Sequence, residues 1–265
     1  MRVLVTGAAG SIGRVVVGAL LTDGVDVVGF DLVPAPDGVD AEWHTGDCTD
    51  PGAVAEVFGA HSFSAVVHLA GHPDELDLAG SLHSHVTTTA TLLDAMVEHD
   101  VTRIVHASSN HAVGRTPRTD LVGIEARPRP DTFYGVGKVA AEALLSLYAD
   151  RYGIDAVACR IGSFLPEPTT RRHLATWLSP ADCVRMVRAA LEAPAPGFAV
   201  LYGISANRDA WWDLEPGRAL GYHPQDDAAA YAGHLPEREE DAVEAATVGG
   251  PFATEEFYRP AVPSP

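Results

Sequence analysis

The sequence predicts an α/β fold built on a doubly wound parallel sheet, with a small C-terminal region closing over the sheet edge. Three observations predict it. Short apolar, β-branched runs alternate with longer helical stretches through most of the 265 residues, which is the pattern of successive βαβ units. The first such run leads straight into a glycine-rich turn, and a helical stretch follows at once. After Ala206 the alternation gives way to Pro, Gly, the pair Trp211–Trp212 and the acidic run Glu237–Asp241. The expected organisation is one main domain over residues 1–206 and an accessory region, not an independent domain, over residues 207–265.

Bulk composition narrows the classes. Hydrophobic residues make up 46% of the chain, and no run approaches the ~18 apolar residues of a membrane-spanning helix. Acidic residues outnumber basic ones 36 to 18, a formal charge of −18, which argues against a nucleic-acid or anionic-membrane surface. An anionic ligand would need a local cation against that background. The opening MRVLVTG is strand-like and lacks the basic region, apolar run and cleavage site of a signal peptide, so the cytoplasm is the expected compartment. Cys48, Cys159 and Cys183 have neither disulfide nor zinc spacing, and read as reduced thiols.

Taken in order, the candidate strands are Val3–Thr6, Val25–Asp31, Ala65–Ala70, Arg103–Ser108, Ala156–Ile161 and Ala199–Tyr202. The helical stretches between them are Ile12–Leu21, Ser81–Glu98, Tyr134–Tyr152 and Pro180–Leu191. The Pro-, Arg- and Asp-rich segment Arg115–Asp131 reads as a loop, and the closing PAVPSP as a frayed tail. In such a sheet, ligands sit beyond the carboxyl ends of the strands.

The first turn reads Gly7-Ala-Ala-Gly10-Ser-Ile-Gly13. Gly7 permits the tight turn, Gly10 lets backbone approach a pyrophosphate, and Gly13 lets helix and strand pack closely. The helix start directs free N–H groups at the phosphates. The same spacing also occurs in ordinary strand–helix turns. Its place after the first strand, with Asp31 ending the second, points to a Rossmann-type dinucleotide site. A carboxylate at Asp31 suits the adenosine ribose and repels a 2′-phosphate, and Leu32-Val33-Pro34 offer no cation, so NAD is expected over NADP. Asp47 fits either an adenine contact or a turn or helix cap.

The chemical end is expected at Ser108-Ser109-Asn110-His111, where the fourth candidate strand closes, and at Tyr134 and Lys138, which open a helix. Four residues apart, Tyr134 and Lys138 share a helix face. An ammonium there favours tyrosinate and should lower the tyrosine pKa. The phenol oxygen then accepts a proton from a substrate alcohol while hydride passes to nicotinamide, with Ser109 holding the same oxygen. Tyr-x-x-x-Lys alone also describes an amphipathic helix with a surface lysine. No metal is expected: His83 and His85, two apart, do not share a helix face.

On these residues the chain resembles the extended short-chain dehydrogenase/reductases over nearly its full length. Within that group it is similar to the bacterial uronate dehydrogenases. That finer likeness rests on Ala107-Ser-Ser-Asn-His111, Arg160-Ile-Gly-Ser163, Pro166-Glu-Pro168, Thr176-Trp177 and Gly203-x-Ser205-Ala-Asn207 with Trp211-Trp212. The resemblance implies NAD-dependent oxidation of galacturonate or glucuronate at C1 to an aldarolactone. It implies a cofactor site of Gly7, Gly10, Ser11, Ile12, Gly13, Asp31, Asp47, Cys48, Leu69, Ala70, Gly71, Tyr134, Lys138 and Ile161. Ser109, Asn110, His111 and Ser163 would bind sugar hydroxyls, Phe252 would line the sugar site, and Arg172 would hold the carboxylate, for which a planar guanidinium is suited. It further implies a homodimer or larger homo-oligomer packed through the helices Ser81–Glu98 and Tyr134–Tyr152. Four positions depart from the family pattern: Pro73 stands where a serine reaches substrate, His85 replaces an asparagine, and the pair Phe164-Leu165 is bulkier and more apolar. Two other readings stay open. One is a sugar-nucleotide epimerase or dehydratase, for which the C-terminal region is short. The other is a non-catalytic NAD-binding protein, which typically loses the tyrosine.

Overall fold

A computed structural model of the chain describes residues 1–118 and 121–262. The predicted parallel sheet forms. Its strands are β1 (Arg2–Thr6), β2 (Asp26–Asp31), β3 (Glu42–Thr45), β4 (Ala65–His68), β5 (Arg103–Ser109), β6 (Asp155–Ile161) and, after a separate short pair β7 (Ser163–Phe164) and β8 (Trp177–Leu178), β9 (Phe198–Gly203). The seven lie in the order β3-β2-β1-β4-β5-β6-β9, every pairing parallel. The chain reverses direction across the sheet between β1 and β4. That topological switch opens a crevice at their carboxyl ends.

Period-two alternation sends side chains to the two faces. Val3 and Val5 of β1 point to the face covered by α1 (Ser11–Thr22), while Leu4 points to the other. Along α1, Val16, Val17 and Leu20 form the buried stripe. The opposite face is covered by α2 (Pro51–Ala60), a short α3 (Leu78–Leu82), α4 (Thr88–Glu98) and α5 (Phe133–Tyr152). Val57, Phe58, Leu92, Leu93, Met96 and Leu145 pack there against Val28, Val66 and Ile104. A short α6 (His173–Thr176) precedes α7 (Pro180–Glu192), whose Met186, Val187 and Ala190 complete the first face. Each such side chain, fully buried, contributes about 1.5–3 kcal/mol.

Two elements carry too little pattern to be anticipated. β3 is a four-residue edge strand, Glu-Trp-His-Thr, with no fully buried side chain. α2 contains Gly52 and Gly59, which blur its helical pattern, yet Asp50 accepts from Gly52 N at its start and Pro51 occupies the first turn. The predicted helix Ser81–Glu98 is interrupted: a π-turn over His83–Thr87 separates α3 from α4. π-turns inside helices are rare and cluster at functional sites.

The C-terminal residues pack onto the loop after β5. Trp211, Trp212 and Val248 share a cluster with Val113, Val122 and Tyr202. Backbone bonds from Val248 N to Thr116 O (3.0 Å) and from Gly249 N to Gly114 O (2.8 Å) tie the two segments together. Of the segment Arg115–Asp131, the described residues form isolated bridges only. Thr119 and Asp120, and residues 263–265 of the expected tail, lie outside the described residues. All three cysteines are buried and free. Among the described residues no helix is long and apolar enough to cross a membrane.

Candidate active site

A cavity of about 1310 Å³ runs from the β1–α1 turn, across the switch point, to the C-terminal residues Phe252 and Phe257. Its first half is the glycine turn. Gly7 adopts φ +66°, and a Cβ there would lie 2.6 Å from Ala70 N. A Cβ on Gly13 would lie 2.2 Å from Gly7 O. Only glycine lets the turn, the helix and the end of β4 close to this distance. The N-cap of α1, Gly10, gives no side-chain cap bond, so the first-turn N–H groups are free to face an anion. Asp31 stands across the turn, its Oδ2 accepting from Ala9 N at 2.9 Å. The carboxylate thus shapes the loop as well as presenting charge to the cavity. A glycine cradle, free helix N–H groups and an acidic strand end fit a dinucleotide with an unphosphorylated ribose.

Every expected cofactor residue faces this one cavity. Ser11, Ile12, Asp47 and Cys48 line it from the first half of the sheet, and Leu69, Ala70, Gly71 and Ile161 from the second. Asp47 also accepts from Thr49 N at 2.8 Å, so cavity contact and turn closure belong to the same side chain. Burial, assisted by Asp47, pushes the Cys48 thiol up to about 12, which leaves it inert.

Ser109, Tyr134 and Lys138 meet in the middle of the cavity. Thr132 caps α5 by accepting from Gly135 N. Glu75, from the loop after β4, accepts from Phe133 N (2.8 Å) and Tyr134 N (2.9 Å) with its two carboxylate oxygens. The helix start that carries Tyr134 is thereby clamped from two sides. Lys138 Nζ donates to Ala107 O at 2.7 Å and lies 5.4 Å from the centre of the Tyr134 ring.

The expected fall in the tyrosine pKa does not occur among the chain's own residues. Burial raises the Tyr134 phenol to about 12, opposed only by a hydrogen bond with Ser109. Burial also lowers Lys138 to about 8, opposed by Glu142. For both groups desolvation is the largest influence. Three further imidazoles share this interior. His68 and His85 are each pushed down to about 3 by burial and then by Lys138, and His106 is pushed well down for the same reasons. Neutral histidines around it spare Lys138 further positive neighbours.

The sugar-facing residues separate into two groups. Ser109, His111 and Phe252 line the cavity, as do the departures Pro73, His85 and Phe164. His85, on the π-turn, sets its ring edge-to-face against Tyr134 at 4.8 Å. It is sealed by Gly71 and Gly137, where added Cβ atoms would lie 2.8 and 3.0 Å from it. Asn110, Ser163 and Arg172 stand behind the wall. Asn110 is buried and accepts from Ser109 Oγ at 3.3 Å. Ser163 Oγ contacts Thr176 Oγ1 at 2.9 Å and accepts from the Arg172 guanidinium at 3.2 Å. Arg172 also donates to Val248 O at 3.2 Å. Its edge faces a smaller pocket of about 380 Å³ shared with Arg118, Arg171, Asp209, Asp241 and Glu244. Burial lowers Arg172 to about 10, with Asp131 and Glu244 opposing.

Sequence pattern does not mark Glu75 or Asp131 as site residues. Glu75 has no local signal, since its partners lie in a distant helix. Asp131 directly precedes the Thr132 cap, yet it is spent on His111: its oxygens lie 3.0 and 2.8 Å from His111 Nδ1. Away from the cavity, Glu42, His44 and His61 form the one described group with metal-type ligand atoms within 4.8 Å of one another. There His44 and His61 contact each other through Nε2 at 2.9 Å, and Arg2 Nη1 lies 3.3 Å from His61 Nδ1.

Comparison with known proteins agrees with this geometry. A family model described as the NAD dependent epimerase/dehydratase family matches residues 3–181. The uronate dehydrogenase of Agrobacterium fabrum is 39% identical over 239 residues, covering 89% of this chain and 89% of that protein. An L-arabinose 1-dehydrogenase (NAD(P)(+)) of Haloferax volcanii is 36% identical over 258 residues, covering 86% and 98%. The crystal structure of a tyrosine-to-alanine mutant of Agrobacterium tumefaciens uronate dehydrogenase, complexed with NAD, superposes with a TM-score of 0.89 at 34% identity, covering 99% of each chain.

Proposed function

The chain belongs to the NAD dependent epimerase/dehydratase family, the extended short-chain dehydrogenase/reductases, and from that premise we propose that it oxidises a uronic acid at C1 with NAD. Galacturonate and glucuronate are the expected substrates, and the aldarolactone is the product. The observation that carries this reading is the single cavity joining the glycine turn and Asp31 to Ser109, Tyr134 and Lys138.

Gly7, Gly10 and Gly13 with the first turn of α1 would hold the pyrophosphate, and Asp31 the adenosine ribose. When bound, NAD supplies the hydride acceptor. Tyr134 takes the proton of the C1 hydroxyl as the C1–H electron pair leaves, so that C1 becomes the lactone carbonyl. With the phenol at about 12 in the chain alone, Lys138 has to stabilise the phenolate before the transfer, since only the deprotonated oxygen can accept the C1 hydroxyl proton. Ser109 orients the hydroxyl. His111 and Phe252 bound the sugar, and Asn110 and Ser163 support that wall from behind. Arg172 serves the carboxylate through the Ser163 side of the wall.

In the same proposal residues 1–206 carry cofactor and chemistry, and residues 207–265 cover the sugar. The enzyme works in the cytoplasm as a homodimer or larger homo-oligomer. Exposed apolar side chains on the outer surface of α4 and α5, Val97, Leu147 and Tyr152, support that assembly, and sedimentation velocity tests it.

A second reading, oxidation of a neutral aldose at C1, is favoured by one observation. Arg172 stands off the cavity wall, where Phe164, Leu165, Phe252 and Phe257 present apolar surface. One assay covers both readings: supply NAD with a panel of uronates and neutral aldoses and follow NADH absorbance. Turnover of galacturonate or glucuronate, abolished in Tyr134→Phe, is expected. Turnover confined to neutral aldoses selects the second reading. Epimerisation of a sugar nucleotide without net NADH overturns both.

A further inference from the structure

Asp131 is a carboxylate with no solvent-exposed side-chain surface. A buried carboxylate without partners is costly, and here each approach to it is filled. Its Oδ1 and Oδ2 lie 3.0 and 2.8 Å from His111 Nδ1. Thr132 Oγ1 donates to Oδ1 at 3.3 Å. Two glycines make the space: an added Cβ would lie 2.0 Å from Oδ2 at Gly114 and 1.7 Å at Gly249. The bond from Gly249 N to Gly114 O, 2.8 Å, closes those two segments over the carboxylate.

An ionised carboxylate only accepts hydrogen bonds, so the ring nitrogen facing it carries hydrogen. With one proton on the ring, held at Nδ1, the lone pair lies on Nε2. Among the described residues Nε2 has no hydrogen-bond partner, while the ring lines the cavity beside Tyr134 (5.9 Å) and Phe252 (4.7 Å). These contacts leave the ring little freedom to flip.

We propose that Asp131 is a positioning residue: by holding His111 Nδ1–H it makes Nε2 a hydrogen-bond acceptor for a sugar hydroxyl. The role rests on the C1-oxidation reading above. An acceptor at this point recognises a hydroxyl and repels an anionic oxygen, so the uronate carboxylate is directed away from His111.

The test uses Asp131→Asn, which is nearly isosteric and fits between Gly114 and Gly249. The Thr132 hydroxyl donates to the Oδ1 place and so holds the amide oxygen there. That leaves Nδ2 in the Oδ2 place, the nearer of the two to His111 Nδ1 at 2.8 Å against 3.0 Å, to donate to that nitrogen. The ring must then carry its proton on Nε2. Long-range ¹⁵N NMR of histidine-labelled protein, with His111 assigned from a His111→Gln variant, should show Nδ1–H in the native chain and Nε2–H in Asp131→Asn. The sugar KM should rise about 10- to 100-fold, the range for a hydrogen bond lost and inverted. The NAD Kd should move less than about twofold, because the nucleotide half of the cavity is untouched.

Nε2–H in the native protein overturns the proposal, as does an inverted tautomer with unchanged sugar KM. If Asp131→Asn does not fold, the native tautomer and the sugar KM of His111→Gln, expected to rise by the same range, decide it. If no sugar is turned over, the C1-oxidation reading fails on that arm. The tautomers still decide whether Asp131 sets the ring.

Discussion

Replacing Lys138 with Met removes an ammonium that the fold holds almost wholly out of water. Burial lowers its pKa from 10.5 to about 8, while in the unfolded chain the amine titrates near its ordinary value. Between those two values the folded chain binds fewer protons than the unfolded one, so this group's contribution to stability improves as pH rises. The penalty is fully present below the folded pKa and fades as pH passes through the unfolded one. The linkage relation puts it at about 3 kcal/mol at pH 7 and about 1 kcal/mol at pH 9.5. Losing the 2.7 Å bond to Ala107 O costs about 1 kcal/mol at either pH. Lys138→Met should therefore be more stable than the native chain at pH 7 by about 2 kcal/mol, and nearly equal to it at pH 9.5. Buried groups such as Tyr202 and Tyr222 titrate in both proteins and cancel in the comparison. Urea unfolding at the two pH values measures the gap directly. The same variant should lose turnover by at least about 100-fold, a trade of activity against stability. A gap that does not shrink with rising pH would refute the claim that burial governs Lys138.

Other perturbations test separate parts of the site. Gly13→Ala would place a methyl 2.2 Å from Gly7 O and 2.7 Å from Ala8 C, backbone that cannot yield locally. It should weaken NAD binding at least about tenfold and cost about 1–3 kcal/mol of stability, as overpacking does; calorimetric titration giving the native Kd would rule out this geometry. Glu75→Ala frees the N–H groups of Phe133 and Tyr134, and should cost about 1–2 kcal/mol as other lost caps do. Its kcat should fall while the NAD Kd holds, and an unchanged kcat would separate the clamp from catalysis. Arg172→Ala should raise the uronate KM far more than the NAD KM, and equal effects on the two would end its assignment to the carboxylate.

Sequence alone determined what depends on short-range sterics and spacing. The glycine turn is legible because three glycines within seven residues allow a strand to enter a helix over a phosphate. Asp31 is legible because the end of the second strand falls beside that turn. Tyr134 and Lys138 are legible because helix geometry places i and i+4 on one face. The strand–helix alternation supplied the sheet, apart from β3 and α2, whose short or glycine-broken patterns carry little periodicity.

Tertiary structure decided the rest, because burial and contact are set by residues far apart in the chain. The Tyr134 phenol is pushed up, not down, since desolvation is the largest influence on it and outweighs the Ser109 hydrogen bond. Glu75 reaches Tyr134 N only after the segment leading into α3 packs against α5. Arg172 can be read locally as a carboxylate fork, but packing against Ser163 and Val248 sets it behind the wall. The environment of His111, a ring steered by a carboxylate sealed between Gly114 and Gly249, exists only where the loop after β5 and the C-terminal residues meet. Local rules place reactive groups on an element; their charge state and aim follow from what the folded chain packs around them.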